Sequence, residues 1–356
     1  MTGHREGAGE AGPEELEQYR RELSGYCYRM LGSVFDADDA VQETMVRAWR
    51  GMDRFAGRSA VRTWLYRIAT NVCLDMLRSR QRRAQPMDLG PSSTTDAFVG
   101  EMLPEHAWVE PMPDARVLPA DGDPAELAAA RETVRLAFVT ALQHLPPRQR
   151  VILILREVLA WRPAEVADLL DTTVASVNSA LQRARATLAA RGPDASRPRA
   201  VGADQKALLA RYVDAFERYD ITSLVSLLHE DAVMSMPPYN FWLRGSAEIG
   251  RWSLGPGIAC QGSRLVATTA NGSPAFGAYR PDGRGGHLPF AIQVIEIEDD
   301  RIAGNHHFVQ AGLFAAFGLP EHLEPQPRTP GPMSPAGPGS LNVDDPRPNQ
   351  TTGGHW

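Results

Sequence analysis

The chain has 356 residues, of which 43% are hydrophobic and 22% charged, enough for two or three ordinary cores. No run approaches the roughly 18 apolar residues that span a bilayer, and the acidic, polar first residues differ from a signal peptide, so we expect a cytoplasmic protein. Cys27, Cys73 and Cys260 are odd in number and lack zinc-site spacing, which predicts reduced, buried thiols and no bound metal.

The formal net charge of −6 is divided unevenly along the chain. Residues 44–85 contain ten arginines against two acids, and residues 126–192 contain nine basic residues against six acids. The stretch between them, 86–125, contains eight acids and one arginine. The division therefore reconciles an acidic chain with nucleic-acid contacts confined to two basic segments.

Spacing of apolar residues and prolines divides the chain into segments. Apolar residues recur at helical spacing over 14–85 and again over 125–190, where we expect four helices. Proline and acids dominate 86–124, which predicts an extended, mobile linker. The predicted organisation is a disordered 1–13, a helical 14–85, a linker 86–124, a helical 125–191, a linker 192–202, an α+β domain 203–319 and a disordered tail 320–356.

The α+β prediction for 203–319 depends on a change of pattern. Residues 203–230 have the spacing of an amphipathic helical pair. Apolar runs with strand character follow at 264–269, 275–279, 290–298 and 302–309.

A helix-turn-helix is predicted within residues 162–190. Pro163–Leu170 forms a first helix, and Thr173 is a suitable N-cap for a second, Val174–Leu188. The apolar stripe of the second helix is Val174, Val177, Leu181, Ala184 and Leu188. The outward side chains are Ser176, Asn178, Ser179, Gln182, Arg183 and Arg185. Short polar side chains with arginine suit the major groove, and the alternative is an ordinary helical hairpin with a solvated face.

Residues 36–83 join an acidic helix start to an arginine-rich helix. Acids at 36, 38, 39 and 43 suit the positive end of a helix dipole. After a glycine-containing loop, arginines are interleaved with Trp64 and Tyr66, a combination that suits phosphate contacts and stacking on unpaired bases. Trp64 fits the helix core equally well.

Three motifs together resemble regions 2 and 4 of sigma-70 family RNA polymerase sigma factors, of the extracytoplasmic-function type. They are Phe35–Trp49, Arg62–Asn71 and Ser176–Arg185. The resemblance implies two all-α domains that bind core RNA polymerase, through its beta-prime clamp and beta flap, and read duplex and melted promoter DNA.

The resemblance also implies residue roles. Polymerase contacts fall on Asp38, Asp39, Gln42, Glu43 and Arg47. Minus-ten contacts fall on Phe55, Arg58, Ser59, Arg62, Thr63, Trp64, Tyr66, Arg67 and Asn71. Minus-35 contacts fall on Thr173, Ser176, Asn178, Ser179, Gln182, Arg183 and Arg185. Family members often have lysine or arginine where this chain has Asn178 and Ala180.

Residues 203–315 resemble the SnoaL-like (NTF2-like) cone-shaped fold found fused to certain actinobacterial sigma factors. The matching motifs are Leu209–Phe216, Leu228–Val233, Met236–Tyr239, Asn271–Ala275 and the Ile292–Val309 strands. In such fusions the domain contacts the sigma domains and tunes their activity. Candidate contacts are Asn271, Gly272, Pro274 and the 193–202 linker. Candidate cavity residues are Asp231, Tyr239, Trp242, His306 and His307, of which only one of the adjacent histidines can point inward.

The sequence therefore predicts a sigma factor without catalytic residues or cofactor, and leaves a small cavity ligand possible. Two alternatives remain: a SnoaL-like cyclase or isomerase tethered to DNA-binding helices, and a stand-alone helix-turn-helix regulator. We also expect the acidic 86–124 segment to lie against the basic 44–85 segment and mask it.

Overall fold

The computed structural model describes residues 16–52, 55, 60–78, 82–96, 100, 102–190 and 204–325. The disorder expected for 1–13, the linker at 192–202 and most of the tail expected to be disordered lie outside these residues. So do two candidate DNA contacts, Arg58 and Ser59.

The first helical domain contains α1 (Arg20–Leu31), α2 (Val34–Gly51) and α3 (Val61–Arg78). Helix α1 ends at Gly32, whose φ of 71° suits glycine. Ser33 then caps α2 by accepting a hydrogen bond from the Asp36 backbone N–H at 3.2 Å. Apolar residues of the three helices form a common core in which Cys27 and Cys73 are buried as free thiols.

Residues 86–124 differ from the expected mobile linker. The described part contains α4 (Pro86–Leu89), a 3₁₀ turn at Glu105–Ala107 and α5 (Asp114–Val117). Trp108, Val109 and Met112 are buried, and Val109 and Met112 belong to the core that the helical domains share. The expectation of mobility is corrected for this part of the segment, where burial of apolar residues outweighs the proline-rich, acidic composition.

Arg83 anchors the segment through charge and backbone contacts. Its guanidinium forms a buried ion pair with Asp36 at 2.6 Å and donates to the carbonyl oxygens of Trp108 at 2.6 Å and Glu105 at 3.0 Å. A buried arginine with several acceptors is stabilising only when they remain together. The segment is thereby fixed to the start of α2.

The second helical domain contains five α-helices among its described residues, one more than expected. They are α6 (Pro124–Glu132), α7 (Leu136–Gln143), α8 (Pro147–Leu153), α9 (Pro163–Leu169) and α10 (Val174–Ala189). The extra helix arises because the backbone leaves helical hydrogen bonding between α6 and α7, at 133–135. A π-helical turn, Ile154–Val158, continues α8. Helices α9 and α10 form the predicted helix-turn-helix.

The C-terminal α+β domain has a six-stranded sheet in the order β2-β1-β6-β5-β4-β3, with β1 and β6 parallel and the other pairs antiparallel. Its strands are β1 (Leu228–Ser235), β2 (Trp242–Arg244), β3 (Arg264–Ala270), β4 (Ser273–Pro281), β5 (His287–Glu298) and β6 (Arg301–Phe308). Its helices are α11 (Asp204–Glu217), α12 (Ile221–Ser226), α13 (Ser246–Leu254) and α14 (Gly312–Ala316). The four predicted strands are present. The helical prediction over 203–230 ends too late, because 228–230 belong to β1.

The two faces of this sheet contact different cores. One face packs on α11 and α13 in a cluster that includes Tyr212, Phe276 and Ile295. Residues of the opposite face, such as Ile292 and Phe308, belong to the cluster that contains the cores of both helical domains. Alternation along the strands therefore makes the α+β domain share a hydrophobic core with the helical domains. No helix within the described ranges is long and apolar enough to cross a membrane.

Candidate DNA, polymerase and interdomain interfaces

Helix α10 presents an exposed polar face. Thr173 caps the helix by accepting from the Ser176 backbone N–H at 3.1 Å, and Val177, Leu181 and Ala184 are buried. Val174, expected in the buried stripe, is instead 42% exposed because it lies in the first turn, beyond the packed stripe. The exposed residues include every candidate minus-35 contact: Thr173, Ser176, Asn178, Ser179, Gln182, Arg183 and Arg185. This face is geometrically able to enter a DNA groove.

Arg185 on this face already has a partner. Its guanidinium forms an ion pair with Glu157 at 2.6 Å, and both side chains are substantially exposed. An exposed pair of this kind contributes little to folding stability. It does place a carboxylate beside a cation that would otherwise face phosphate.

The candidate minus-ten residues on α3 divide into exposed and covered groups. Asn71 is exposed, Thr63 and Trp64 are half-buried, and Trp64 lies beside Phe55 with ring centroids 4.9 Å apart. Tyr66 is fully buried, so its ring is not open to a base in this arrangement, and its minus-ten role stays a prediction. In this arrangement the Tyr66 side chain of α3 therefore packs in the protein core and does not form part of an open DNA-binding face.

Residues of the second helical domain cover this part of α3. The Tyr66 ring lies 5.2 Å from that of Trp161, and the Arg62 guanidinium lies over both rings, at 5.1 and 5.7 Å from their centroids. Arg67 donates to the backbone carbonyl of Asp168 at 2.8 Å. The helix-turn-helix domain thus occupies three of the candidate minus-ten side chains.

The candidate polymerase contacts on α2 are mostly exposed. Asp39, Gln42, Glu43 and Arg47 face outward, and Glu43 pairs with Arg47 at 2.6 Å. Asp38 is partly covered, since Arg116 of α5 forms an ion pair with it.

Asn271 connects the α+β domain to both helical domains. It lies in the turn between β3 and β4 with a φ of 55° and no exposed surface. Its side-chain amide donates to the Tyr28 hydroxyl and to the Val134 carbonyl, both at 2.7 Å, and its amide oxygen accepts from the Met112 backbone N–H at 2.9 Å. One side chain therefore joins α1, the 86–124 segment and the connection between α6 and α7.

Groups around Asn271 complete this contact. Burial raises the pKa of the Tyr28 phenol, so its hydroxyl stays protonated and donates to the Glu110 carbonyl at 2.8 Å. The Gly272 backbone N–H donates to Asp114 at 2.8 Å, and a Cβ at Gly272 would lie 2.9 Å from the Arg131 Cβ. Only glycine fits here without displacing α6.

Sequence reasoning did not find Tyr28, Met112, Asp114 or Val134 as partners of this turn. Asn-Gly is a local signal for a turn. Nothing local indicates the partners, because the hydrogen bonds from Asn271 join residues 137 and 243 positions apart. Pro274 lies beside the contact, on β4.

The candidate cavity residues are dispersed. Asp231 is exposed on β1, so its predicted place in a cavity is corrected: it falls on the outward side of the strand. Trp242 is turned toward the 86–124 segment, where its indole donates to the Gly90 carbonyl at 3.1 Å, and half-buried Tyr239 forms a strand-like bridge with Met102. Neither residue belongs solely to the interior of the α+β domain.

The adjacent histidines of β6 point to opposite faces. His306 bonds to Ser235 at 2.8 Å, whereas His307 lies on the same side as Asn305, which donates to the Tyr212 hydroxyl at 2.9 Å. Burial, with His306 and Arg280 nearby, lowers the pKa of His307 to about 3, so its imidazole is neutral. Among the residues that the structure describes, no three His, Cys, Asp or Glu side chains are grouped to hold a metal ion.

The two helical domains match known protein families. Residues 16–83 match Sigma-70 region 2, and residues 135–188 match Sigma-70, region 4. These are the domains of a sigma factor, in the order that the three sequence motifs predicted.

Relatives match most of the chain. It is 46% identical over 313 residues to the ECF RNA polymerase sigma factor SigG of Mycobacterium tuberculosis, covering 86% of this chain and 83% of SigG. It is 31% identical over 290 residues to SigJ of the same organism, covering 75% and 83%. The crystal structure of SigJ is similar over 87% of this chain and 100% of that one, with 25% identity and a TM-score of 0.57.

The chain belongs to the extracytoplasmic-function (ECF) family of RNA polymerase sigma factors. Its multidomain class, two all-α sigma domains followed by a SnoaL-like α+β domain, is confirmed by the structure and by the likeness to SigJ.

Proposed function

We propose that this sigma factor binds core polymerase through the exposed face of α2, reads the minus-35 element with α10 and captures the melted minus-ten element with α3, in the cytoplasm. The exposed acids of α2, the polar face of α10 and the arginines of α3 support these roles. Charged and polar surfaces of this kind steer binding to polymerase and to phosphates.

We further propose that the SnoaL-like domain regulates the sigma domains in cis by stabilising a closed arrangement. By closed arrangement we mean the contacts of Asn271 and Gly272 with Tyr28, Met112, Asp114 and Val134. The buried Asn271 side chain is the observation that carries this proposal. If the domain separated, its three hydrogen bonds would break, and the buried polar groups that they join would lose their partners.

The closed arrangement inhibits, because it covers surfaces that initiation needs. Arg116 occupies Asp38, Trp161 covers Tyr66, and the Asp168 carbonyl binds Arg67. Two cross-domain contacts reinforce it: Arg29 donates to the Thr133 carbonyl at 2.9 Å, and Arg150 donates to the Met30 carbonyl. Opening would expose the minus-ten residues and Asp38 together.

The experiment compares two glycine substitutions in run-off transcription and core-polymerase binding. Gly272→Ala introduces a Cβ that meets Arg131, whereas Gly283→Ala has no atom within 4 Å of the new Cβ. Both glycines have positive φ, 69° and 74°, so the backbone strain is matched and only the clash differs. We expect Gly272→Ala to bind core and transcribe about 3- to 10-fold better than Gly283→Ala, as for a closed state destabilised by about 1 kcal/mol.

Equal activity of the two variants, with the closed contacts shown to be lost by hydrogen exchange at residues 112–116, would contradict regulation by this contact. Weaker transcription by Gly272→Ala would show that the docked domain activates. Failure of the wild-type protein to bind core polymerase would contradict the polymerase role itself.

We also propose that the SnoaL-like domain performs no catalytic turnover. The aromatic rings of Tyr212, Phe216 and Phe276 pack against one another in its interior, and the buried His307 on β6 is neutral. The tethered-enzyme alternative predicts conversion of a cyclisable polyketide or an isomerisable ketone by the purified protein without polymerase. Turnover that disappears in His307→Phe would establish that alternative.

A further inference from the structure

A cavity of about 420 Å³ lies where the SnoaL-like domain meets the linker segment and the second helical domain. Helix α11 contributes Leu209 and Val213, and the β3–β4 hairpin contributes Pro274 and Phe276. Arg131 of α6 and Asp114 of α5 complete the wall from outside the domain. Sites for small molecules commonly have such a volume and occur at domain boundaries.

The wall of this junction cavity is largely apolar and carries charge at few points. Arg131 and Lys206 supply two cations, and Asp114 supplies one carboxyl. The carboxyl accepts from the Gly272 backbone N–H at 2.8 Å, and burial raises its pKa. The two cations therefore outweigh the one carboxyl, and the cavity favours a ligand with an apolar body and a single negative charge.

We propose that the junction cavity binds an amphipathic carboxylate, its chain on Leu209, Val213 and Phe276 and its carboxylate near Arg131 and Lys206. The inference goes beyond the proposed function, since binding is measured without polymerase. The site is separate from the interior of the SnoaL-like domain, because Tyr212, Asn305 and His307 do not line it.

Such a ligand reports on, and strengthens, the closed arrangement. The walls of the junction cavity come from three parts of the chain, which meet only when Gly272 lies against Asp114 and Arg131. A ligand that binds one of two states favours that state by the factor 1 + [L]/Kd, about 11-fold at ten times Kd. The ligand is therefore a co-inhibitor in the sense of the proposed function.

The experiment titrates the full-length protein with decanoate by calorimetry, with decanol as the uncharged probe. Ala210→Trp fills the cavity, because Ala210 lines it on α11. Ala207→Trp is the matched control, exposed on the same helix and outside the cavity wall. Arg131→Gln with Lys206→Gln removes the two cations.

We expect one decanoate per chain, with decanol, Ala210→Trp and the double glutamine variant each binding about tenfold or more weakly and Ala207→Trp unchanged. Hydrogen exchange at the Gly272 amide should slow when decanoate is bound. Absence of decanoate binding to the wild type, or equal binding by the two tryptophan variants, overturns the proposal. Binding lost in Asn305→Leu but retained in Ala210→Trp overturns it in favour of the domain interior. None of these outcomes depends on transcription.

Discussion

Two helices of this protein carry the residues expected to contact DNA, and the structure treats them differently. The polar face of α10 is open, with Gln182 and Arg183 exposed. On α3, Tyr66 is buried under Trp161 and Arg67 bonds to the Asp168 carbonyl. The face proposed to read duplex DNA is thus open in this arrangement, while the face proposed to capture melted DNA is partly covered by the second helical domain.

The difference follows from the side chains that each helix carries. The outward side chains of α10 are short or highly polar, and gain little from burial. Tyr66 and the aliphatic part of Arg62 have large apolar surfaces that another domain can cover. Side chains suited to stacking on unpaired bases are equally suited to packing against a protein domain.

The largest expected effect comes from removing the Asn271 side chain. Asn271→Gly keeps the left-handed backbone and leaves the Met112 N–H and Val134 carbonyl without their partner, which should lower the free energy of unfolding by about 2–4 kcal/mol. The covered face of α3 should then exchange amide hydrogens as fast as open surfaces do. Urea titration and hydrogen exchange measure both effects.

Asp300→Gly is the control for this prediction. Asp300 is exposed in the β5–β6 turn and has a φ of 60°, so glycine suits its backbone and no buried contact is lost. A cost for Asp300→Gly as large as that for Asn271→Gly would show that backbone entropy, not the hydrogen bonds, accounts for the loss.

The next largest effect is expected at Trp161, which covers Tyr66. Trp161→Leu removes the ring that packs beside Tyr66 and under the Arg62 guanidinium. This should lower the free energy of unfolding by about 2 kcal/mol. It should raise the affinity of the protein for a single-stranded minus-ten oligonucleotide about 3- to 10-fold, as measured by fluorescence anisotropy. Trp252→Leu, equally buried at 6% exposure but inside the SnoaL-like domain, should lower stability without changing this affinity.

A smaller effect is expected at Glu110, whose backbone carbonyl accepts a hydrogen bond from Tyr28. Burial raises the pKa of its carboxyl, and Ser33 donates a hydrogen bond to it. Because the folded-state pKa is above the ordinary value, ionisation disfavours the folded state, and the stability contributed by this group rises as pH falls toward 4.5. Glu110→Gln keeps the acceptor for Ser33, so it should raise stability at pH 7 and flatten this part of the pH profile. A profile unchanged by Glu110→Gln in urea titrations would assign the dependence to other groups.

The smallest effect is expected on the open helix. Glu157→Gln releases Arg185 and should change stability by less than about 1 kcal/mol. Affinity for duplex DNA should rise about 2- to 3-fold, with a steeper dependence on salt. Glu165→Gln is the comparison, since Glu165 is also 40% exposed and pairs with Arg162 instead of with a residue of α10, and glutamine can still accept from the Arg162 backbone N–H. Equal changes for the two variants would mean that net charge, not the pairing of Arg185, is responsible.

Local features were predictable from the sequence. The cap at Thr173, the exposed face of α10 and the four strands from residue 264 onward follow from residue spacing over a few turns or strand residues. The assignment to sigma regions followed from three motifs and is confirmed. Each of these features, and each of the three motifs, lies within one short stretch of the chain, which a single sequence displays directly.

Features that depend on distant contacts were not predictable. The 86–124 segment was expected to be mobile because its prolines and acids dominate its composition, although Trp108, Val109 and Met112 are a signal for burial. The cover of Tyr66 by Trp161 was not predicted, because the two residues are 95 positions apart and nothing local indicates their contact. The roles of the polymerase- and DNA-contacting residues stay predictions.

The hydrogen bonds of Asn271 also set an order of events during synthesis. Helix α10 ends at Ala189, 82 residues before Asn271, a delay of roughly 4–16 s at about 5–20 residues per second. For that interval both sigma domains are complete while the turn that joins them has not been made. Under the proposed inhibition, a nascent chain has a brief period in which polymerase can bind it before the closed arrangement forms, and slow translation of the C-terminal third is then expected to raise sigma activity.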